Sequence, residues 1–513
     1  MRAGRNARRI RLDRARCFCN FAVALVCATL SACSLGPDFE RPTASIPVAY
    51  KELKGWKISA PRDHLDRGAW WSIYRDPILD ALEIQVEISN QNIAAADAAY
   101  RQSVALVQEA RAALFPTFGL LYNPVRSHTG SGSSSSGSAS TISRVTLEGT
   151  ASWDIDLWGK IRRTIESNAE FAKVSAGDLA NAKLSAQNQL AVAYFNLRAA
   201  DELHSILEQT ISNYRRTLTI TENQLEQGTV SRSDVITAKT QIKTIEAQVF
   251  TVRVQRAQFE HAIAVLIGKP PAQLNIAKRK FAKNVPTVTA GVPSSLLERR
   301  PDIAAAERQV AAQSALIGVA VTAYFPDINL SGVLGWVGPQ FIPINAANEV
   351  WQIAGTLTET MFDGGMRRAQ LAASEAAFYQ AVAIYRQTIL TAFQEVEDQL
   401  SNSRLLAEQQ RVQDEAVSLS QQALDITLNQ YKAGTISFTA VVTAHATLLA
   451  NEQAAVTVRQ NRFLASANLI KALGGGWDAS LLPTYEELRH RRSCVEVRAA
   501  IRGTIPPEMP ECL

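Results

Sequence analysis

The chain has 513 residues and a formal net charge of +5. Seven arginines and one aspartate fall within residues 1–32, so that stretch carries +6 and the remainder is near −1. The basic balance belongs to the leader and gives no ground for nucleic-acid binding.

Arg2, Arg5, Arg8, Arg9, Arg11, Arg14 and Arg16 precede an apolar run from Phe21 to Leu30. Such a run is too short for a bilayer core, which needs about 20 residues. A basic segment, a short apolar segment and small residues read as a secretory signal over 1–32. Leu30-Ser31-Ala32-Cys33 matches a lipobox, where the cysteine thiol is lipidated and the bond before it is cut. Cys33 is the candidate lipidation site, heading an anchored segment over 33–76. Ser34 follows it in place of the Asp that commonly retains lipoproteins in the inner membrane, so the outer membrane is expected. Cys17, Cys19 and Cys27 leave with the signal. Cys494 and Cys512 stay in the tail, either as a disulfide or as idle thiols.

From residue 77 the sequence is written twice. Phe115-Pro116 corresponds to Phe325-Pro326, Trp158-Gly159 to Asp363-Gly364, and Gly228-Thr229 to Gly434-Thr435, at offsets of 210, 205 and 206. Landmarks in one order at nearly one offset mark an internal duplication. The repeats span 77–270 and 295–477, with a connecting equatorial segment over 271–294. A tail over 478–513 is given no function. Each repeat is predicted to start with a helix, about 77–113 and 295–322. Pro301 suits a first helical turn.

Two strands follow in each repeat. From Arg144 to Leu157, Val145, Leu147, Gly149, Ala151, Trp153, Ile155 and Leu157 alternate with polar residues. Phe118, Leu120 and Tyr122 continue the pattern in the preceding strand. In the second repeat Ile328, Leu330, Gly332, Leu334 and Trp336 share one face, as do Trp351, Ile353, Gly355, Leu357 and Met361. The segments suit tilted membrane strands of about 9–11 residues, with Trp153, Trp336 and Trp351 toward their ends. A soluble sheet with one wet face uses the same alternation. The Ser/Gly-rich stretch 130–140 reads as a solvated loop.

Next comes a very long helix, about 160–227 and 366–433. The second copy lacks proline and glycine throughout, and such a helix is about 100 Å long. Phe378, Val382, Tyr385, Ile389, Ala392 and Val396 alternate spacings of four and three, the mark of helices packed nearly parallel. A Gly-Thr turn breaks each long helix, and a further helix follows, about 232–268 and 438–473. Four strands cannot close a barrel, since an open edge in a bilayer leaves unpaired backbone groups and the smallest bacterial barrels have about 8 strands. More than one chain must share the wall.

Several short blocks stand out along the chain: Gly36-Pro37-Asp38-Phe39-Glu40-Arg41-Pro42, Trp70-Trp71 with Tyr74 and Asp76-Pro77, and Asp156-Leu157-Trp158-Gly159-Lys160. Further on come Arg299-Arg300-Pro301-Asp302-Ile303, Tyr324-Phe325-Pro326, Phe362-Asp363-Gly364-Gly365 and Glu395-Val396-Glu397-Asp398. Together they are similar to the blocks of the TolC/NodT-like outer-membrane efflux lipoprotein family. The resemblance covers about 33–477. It implies a mainly α chain with a membrane β part. A homotrimer would build a long-helix α-barrel and a transmembrane β-barrel, four strands per chain. It implies a passive exit duct for small molecules, with a periplasmic adaptor and an inner-membrane efflux transporter as partners. It places the turns at Gly228, Thr229, Gly434 and Thr435 at the periplasmic tip, where helices close like an iris and acidic residues line the constriction. Asp234 fits such a gate position. Ala440 and Thr443 stand where relatives often carry Asp. The location of Asp234 equally suits a helix N-terminal carboxylate, and both readings stay open here.

No enzyme constellation is found, and no catalytic residue, metal site or cofactor is expected. Six histidines are scattered without a paired metal-ligand spacing. Gly474-Gly475-Gly476 follows a helix and reads as its stop. His445 reads as a packing or lumen residue. A protein-secretion channel and a lipid-anchored periplasmic coiled-coil scaffold are the alternative readings, and the four alternating segments speak against the scaffold.

Overall fold

The computed structural model describes residues 35–44, 46–47, 49–52, 69–130, 139–286, 288 and 296–490. The leader, Cys33, Cys494 and Cys512 lie outside the described residues.

The first repeat opens with α1 (Pro77–Ser89) and α2 (Gln91–Ala112), where one helix over 77–113 was expected. Asn90 is the reason. Its backbone is extended, its Oδ1 accepts from the N–H groups of Asn92 (2.9 Å) and Ile93 (3.1 Å), and its amide donates to Leu266 O at 2.8 Å. A capping side chain satisfies orphan donors and starts a new helix. The expected helix 295–322 is likewise two pieces, α5 (Leu296–Arg299) and α6 (Pro301–Thr322). A residue before proline is pushed out of the α region, and Arg300 is extended at φ −101°, ψ 122°.

The long helices are α3 (Lys160–Glu226) and α7 (Met366–Lys432), each of 67 residues. Their partners α4 (Arg232–Leu266) and α8 (Phe438–Ala472) have 35 residues each. The starts of α3 and α7 explain two sequence blocks. Asp156 accepts from the N–H groups of Ile161 (3.1 Å) and Arg162 (2.9 Å), and from Arg162 Nε at 3.2 Å. Asp363 repeats the arrangement with the N–H groups of Gly365 (2.8 Å) and Arg367 (3.2 Å), and with Arg367 Nε at 2.7 Å. These bonds hold the Asp363 carboxyl at about 2, well below the usual carboxylate range.

Strands β1 (Thr117–Thr129), β2 (Ser140–Asp154), β3 (Asp327–Gly338) and β4 (Glu349–Thr358) form one antiparallel sheet in the order β1-β2-β3-β4. β2 starts four residues before the predicted Arg144 and stops three before Leu157, because Asp156 turns away to cap α3. β4 stops before Glu359 and Met361. Glu359 instead meets Arg367 at 3.1 Å.

The helices pack beside one another in the order α2, α3, α6, α7 below the sheet and α4, α3, α8, α7 farther along. The predicted seam of α7 is buried at Val382, Tyr385, Ile389, Ala392 and Val396, packed with Ile303 and Val310 of α6. Between the two levels lies an aromatic core. Tyr74 stacks on Phe195 at 4.8 Å, Phe195 on Phe463 at 4.9 Å, and Phe463 on Phe281 at 4.9 Å. Trp70 and Trp71 are buried in the same cluster. Edge-to-face and offset ring pairs add about 0.5–1.5 kcal/mol each beyond area burial. Past the second repeat, α9 (Tyr485–His490) buries Leu488 between Val104 and Val107 of α2 and Ala169 and Ala172 of α3.

Candidate functional site

Two surfaces carry the sequence-predicted function: the faces of the sheet and the far ends of the long helices. The ladder registers fix the faces. Tyr122, Leu147 and Trp336 stand in line across the sheet with Glu349. One step on, Leu120, Gly149, Leu334 and Trp351 align, then Phe118, Ala151, Gly332 and Ile353. Residues directly opposite in a ladder point to the same side. The four apolar stripes therefore merge into one continuous face. The other side carries Thr146, Glu148, Thr150, Ser152, Ser331, Gln352 and Thr356. Trp153 and Trp336 stand six residues apart in register, about 20 Å along the strands at 3.3 Å per residue. Trp153 donates its indole N–H to Leu114 O at 3.0 Å, tying that end of β2 to the end of α2. Among the described residues no helix is long and apolar enough to cross a membrane.

At the opposite end, both turns use one motif. Gly228 and Gly434 sit at φ +72° and +75°, a region open to glycine and costly for L side chains. The N–H of Gly228 donates to Leu225 O, and that of Thr229 to Gln224 O, both at 2.9 Å. Gly434 and Thr435 repeat this with Tyr431 O at 2.9 Å and Gln430 O at 3.0 Å. The crossed pair of bonds is the Schellman arrangement, which satisfies the last carbonyls of a helix. Each threonine hydroxyl adds a bond to the same carbonyl, at 2.9 Å to Gln224 O and 3.0 Å to Gln430 O.

The two helix starts differ. Ser231 N and Oγ donate to Asp234 Oδ2 at 3.1 and 2.9 Å, and Asp234 N donates to Ser231 Oγ at 3.3 Å. This is a reciprocal capping box. Its pattern, Ser231 followed three residues later by Asp234, is legible in the sequence. In the second repeat Ser437 makes no side-chain cap bond, and Ala440 offers no acceptor. Asp234 and Ala440 are half-buried, while Thr443 is exposed and donates to Thr439 O at 3.0 Å.

The ends of both hairpins meet in one small cluster. Ala238, Tyr431, Phe438 and Val441 pack together there. Tyr431 stacks near Phe438 at 5.7 Å, and its hydroxyl lies 3.1 Å from Thr221 Oγ1. Burial raises the Tyr431 hydroxyl, and the nearby charge of Asp234 adds to that rise. Asp234 thus has its cap, with its charge near the Tyr431 hydroxyl. The Thr221–Tyr431 pair joining the hairpins was not picked out from sequence, since the two residues are 210 positions apart.

His445 lies under this region. It is buried against Tyr214, with ring centroids 4.5 Å apart, and burial lowers it to about 4. It is a packed neutral ring. At the level of the aromatic core, Arg300 pairs with Asp302 and Glu395, both at 2.7 Å, and so joins two of the sequence blocks. Glu397 accepts from the N–H groups of Lys51 (2.7 Å) and Glu52 (3.0 Å), which ties the N-terminal segment to α7. Glu83 on α1 gave no sequence signal. It is 0% exposed, and among the described residues neither carboxyl oxygen has a hydrogen-bond partner.

Comparison with known proteins places this geometry. A family model described as outer membrane efflux protein matches residues 84–269 and 292–475. The chain is 30% identical over 466 residues to the pyoverdine export outer membrane protein OpmQ of Pseudomonas aeruginosa, covering 90% of this chain and 97% of that one. It is 29% identical over 463 residues to the toluene efflux pump outer membrane protein TtgC of Pseudomonas putida, covering 89% and 95%. The fold superposes on the outer-membrane channel OprN with a TM-score of 0.79 at 27% identity, covering 87% of this chain and 100% of that one. These family members and neighbours are channel proteins.

Proposed function

This chain belongs to the outer membrane efflux protein family, and on that footing we propose that it is the passive exit duct of a tripartite efflux pump, working as a homotrimer. It is an outer-membrane efflux channel, as its relatives are. The observation that carries the closed ring is the pair of unpartnered sides. β1, α2 and α4 line one side of the protomer from end to end; β4 and α7 line the other. The α7 side is dotted with exposed Leu390, Leu405, Val412, Leu419 and Ile426, and the α4 side with Ile236, Phe250 and Val254. Two unlike sides of one chain join head to tail, and a head-to-tail joint that closes makes a ring. Such a ring would seal the sheet into a barrel and leave no edge in the bilayer. Its bore would run from the barrel through the helices. The pump and adaptor supply the drive, and no catalytic residue is assigned.

We read 1–32 as signal peptide, 33–76 as anchored segment, 77–270 and 295–477 as repeats joined by 271–294, and 478–513 as tail. Cys33 would carry lipid. In support, Leu35 N donates to Trp158 O at 3.3 Å and Leu35 O accepts from Arg163 Nε at 3.1 Å, which pins the chain two residues later at the junction of sheet and helices. Cys33→Ala is expected to remove the acyl mass from the mature N-terminus. An unmodified N-terminus in the wild-type protein, read by mass spectrometry, would overturn the anchor.

The gate is the function's test. In a trimer three Asp234 carboxylates would converge near the axis, where like charges repel unless a cation or partner residue balances them. Both bonds that Ser231 donates to Asp234 fall on Oδ2, which leaves Oδ1 to meet a cation. Ala440 and Thr443 would add a neutral lining, and the turns at Gly228, Thr229, Gly434 and Thr435 would form the periplasmic tip. Asp234→Asn keeps a cap acceptor and removes the charge. It is expected to weaken cation preference and change single-channel conductance in planar bilayers, with assembly intact. Asp234→Ala should do the same and also cost about 0.3–1 kcal/mol of helix stability. Unchanged conductance and selectivity in both would make Asp234 a cap alone.

A further inference from the structure

The loop between β3 and β4 exposes three large apolar side chains. Phe341, Ile342 and Ile344 are 75%, 65% and 56% exposed. A cluster of such residues on a surface marks a contact with something apolar. The loop is held in shape. Asn345 Oδ1 accepts from the N–H groups of Ala347 (2.8 Å) and Asn348 (3.1 Å). Asn348 Nδ2 in turn donates to Pro343 O at 3.1 Å and Gln340 Oε1 at 3.2 Å.

The loop folds back over its own sheet. The Tyr122 hydroxyl donates to Phe341 O at 3.0 Å, and the two rings meet edge to face at 5.9 Å. Tyr122 belongs to the apolar face, in line with Leu147 and Trp336. Val145, on the same face and opposite Gly338 where the loop departs, is buried. The loop therefore lies against the apolar side, just beyond the level of Trp336. A loop roofing the bore would lean to the polar side, over Thr146 and Glu148.

We propose that residues 339–344 are a lipid anchor. Phe341, Ile342 and Ile344 enter the acyl chains of the outer leaflet beside the Trp336 and Trp351 level, and so extend the barrel's apolar band. Aromatic and aliphatic side chains on a fixed backbone bind such an interface through buried apolar area. Continuity with the sheet's apolar face names lipid as the occupant. The proposal rests on the reading that this face meets lipid.

The test uses the full chain with Cys494→Ser and Cys512→Ser, reconstituted in bilayers and spin-labelled at one new cysteine. Ile353→Cys reports the apolar face, Thr150→Cys the polar face, and Phe341→Cys and Ile342→Cys the loop. Oxygen, which concentrates in lipid, is expected to broaden the loop signals as it does at Ile353, while a water-soluble nickel chelate leaves them sharp. If Ile353 is in lipid and the loop labels respond to the chelate, the loop is in water and the anchor is refuted while the barrel reading stands. Labels shielded from both reagents put a second copy of the chain over the loop and also refute it. An Ile353 label that responds to the chelate brings down the face reading and the anchor together. Should a labelled loop disturb insertion, Phe341→Trp gives the same answer: added emission quenched by brominated phospholipid supports the anchor, and unquenched emission overturns it.

Discussion

Leu147→Arg is expected to impair assembly of the channel, while Thr146→Arg, one residue away, is tolerated better. Leu147 stands between Tyr122 and Trp336 on the apolar face, at the Trp336 level. A basic side chain on a lipid face costs about 2–4 kcal/mol at mid-membrane and about 0–1 kcal/mol near the interface, and Leu147, level with Trp336, lies toward the interfacial end of that range. Every protomer of a ring would carry that cost, so the effect multiplies. Thr146 lies between Asn123 and Val337 on the other face, where a wet bore would solvate the guanidinium. The measurement is the fraction of oligomer in outer-membrane extracts, judged by heat-modifiable gel mobility. Equal assembly of the two variants would show that this face does not meet lipid.

Glu83→Gln is expected to stabilise the helical part of the protein at neutral and higher pH. Burial raises the Glu83 carboxyl to about 9, and Glu87 and Asp80 on the same helix add to the rise. In an unfolded chain the group titrates near 4.3. The folded state thus keeps a proton that the unfolded state gives up. Stability from this group is fully present below about pH 4.3 and is lost as pH rises through about 9, at about 1.4 kcal/mol per pH unit in between. Near pH 7.5 the loss amounts to about 4 kcal/mol at most. Glutamine has the shape of the protonated acid and does not ionise. Denaturation followed by circular dichroism should give curves that meet near about pH 5 and diverge above it, with the variant the more stable. Parallel curves would mean that Glu83 ionises freely in the folded protein.

Periodicity made much of the architecture legible. Spacing of four and three marked the seam of α7, because a helix repeats its faces every 3.6 residues. Alternation marked the four strands, because a strand repeats every two. The capping box at Ser231 and Asp234 and the two Gly-Thr turns are also local, since their bonds join residues three to five positions apart. The long helices start where expected because Asp156 and Asp363 cap them from six or fewer residues away.

Local signals failed where a distant group intervened. The break at Asn90 is set partly by Leu266 O, 176 positions away. The registers that merge four apolar stripes into one face are choices among pairings, and a one-residue slip would have turned any strand's stripe to the other side. Burial of Glu83 depends on the core around α1, and the fold-back of Phe341 onto Tyr122 joins residues 219 apart. The chain by itself determined most of its elements, its duplication and its capped turns, since neighbouring residues decide those. Only the tertiary structure decided which side of the sheet is apolar across all four strands, how the hairpin ends join at Thr221 and Tyr431, and where the exposed loop rests, since each of these is a contact between segments that the sequence keeps far apart.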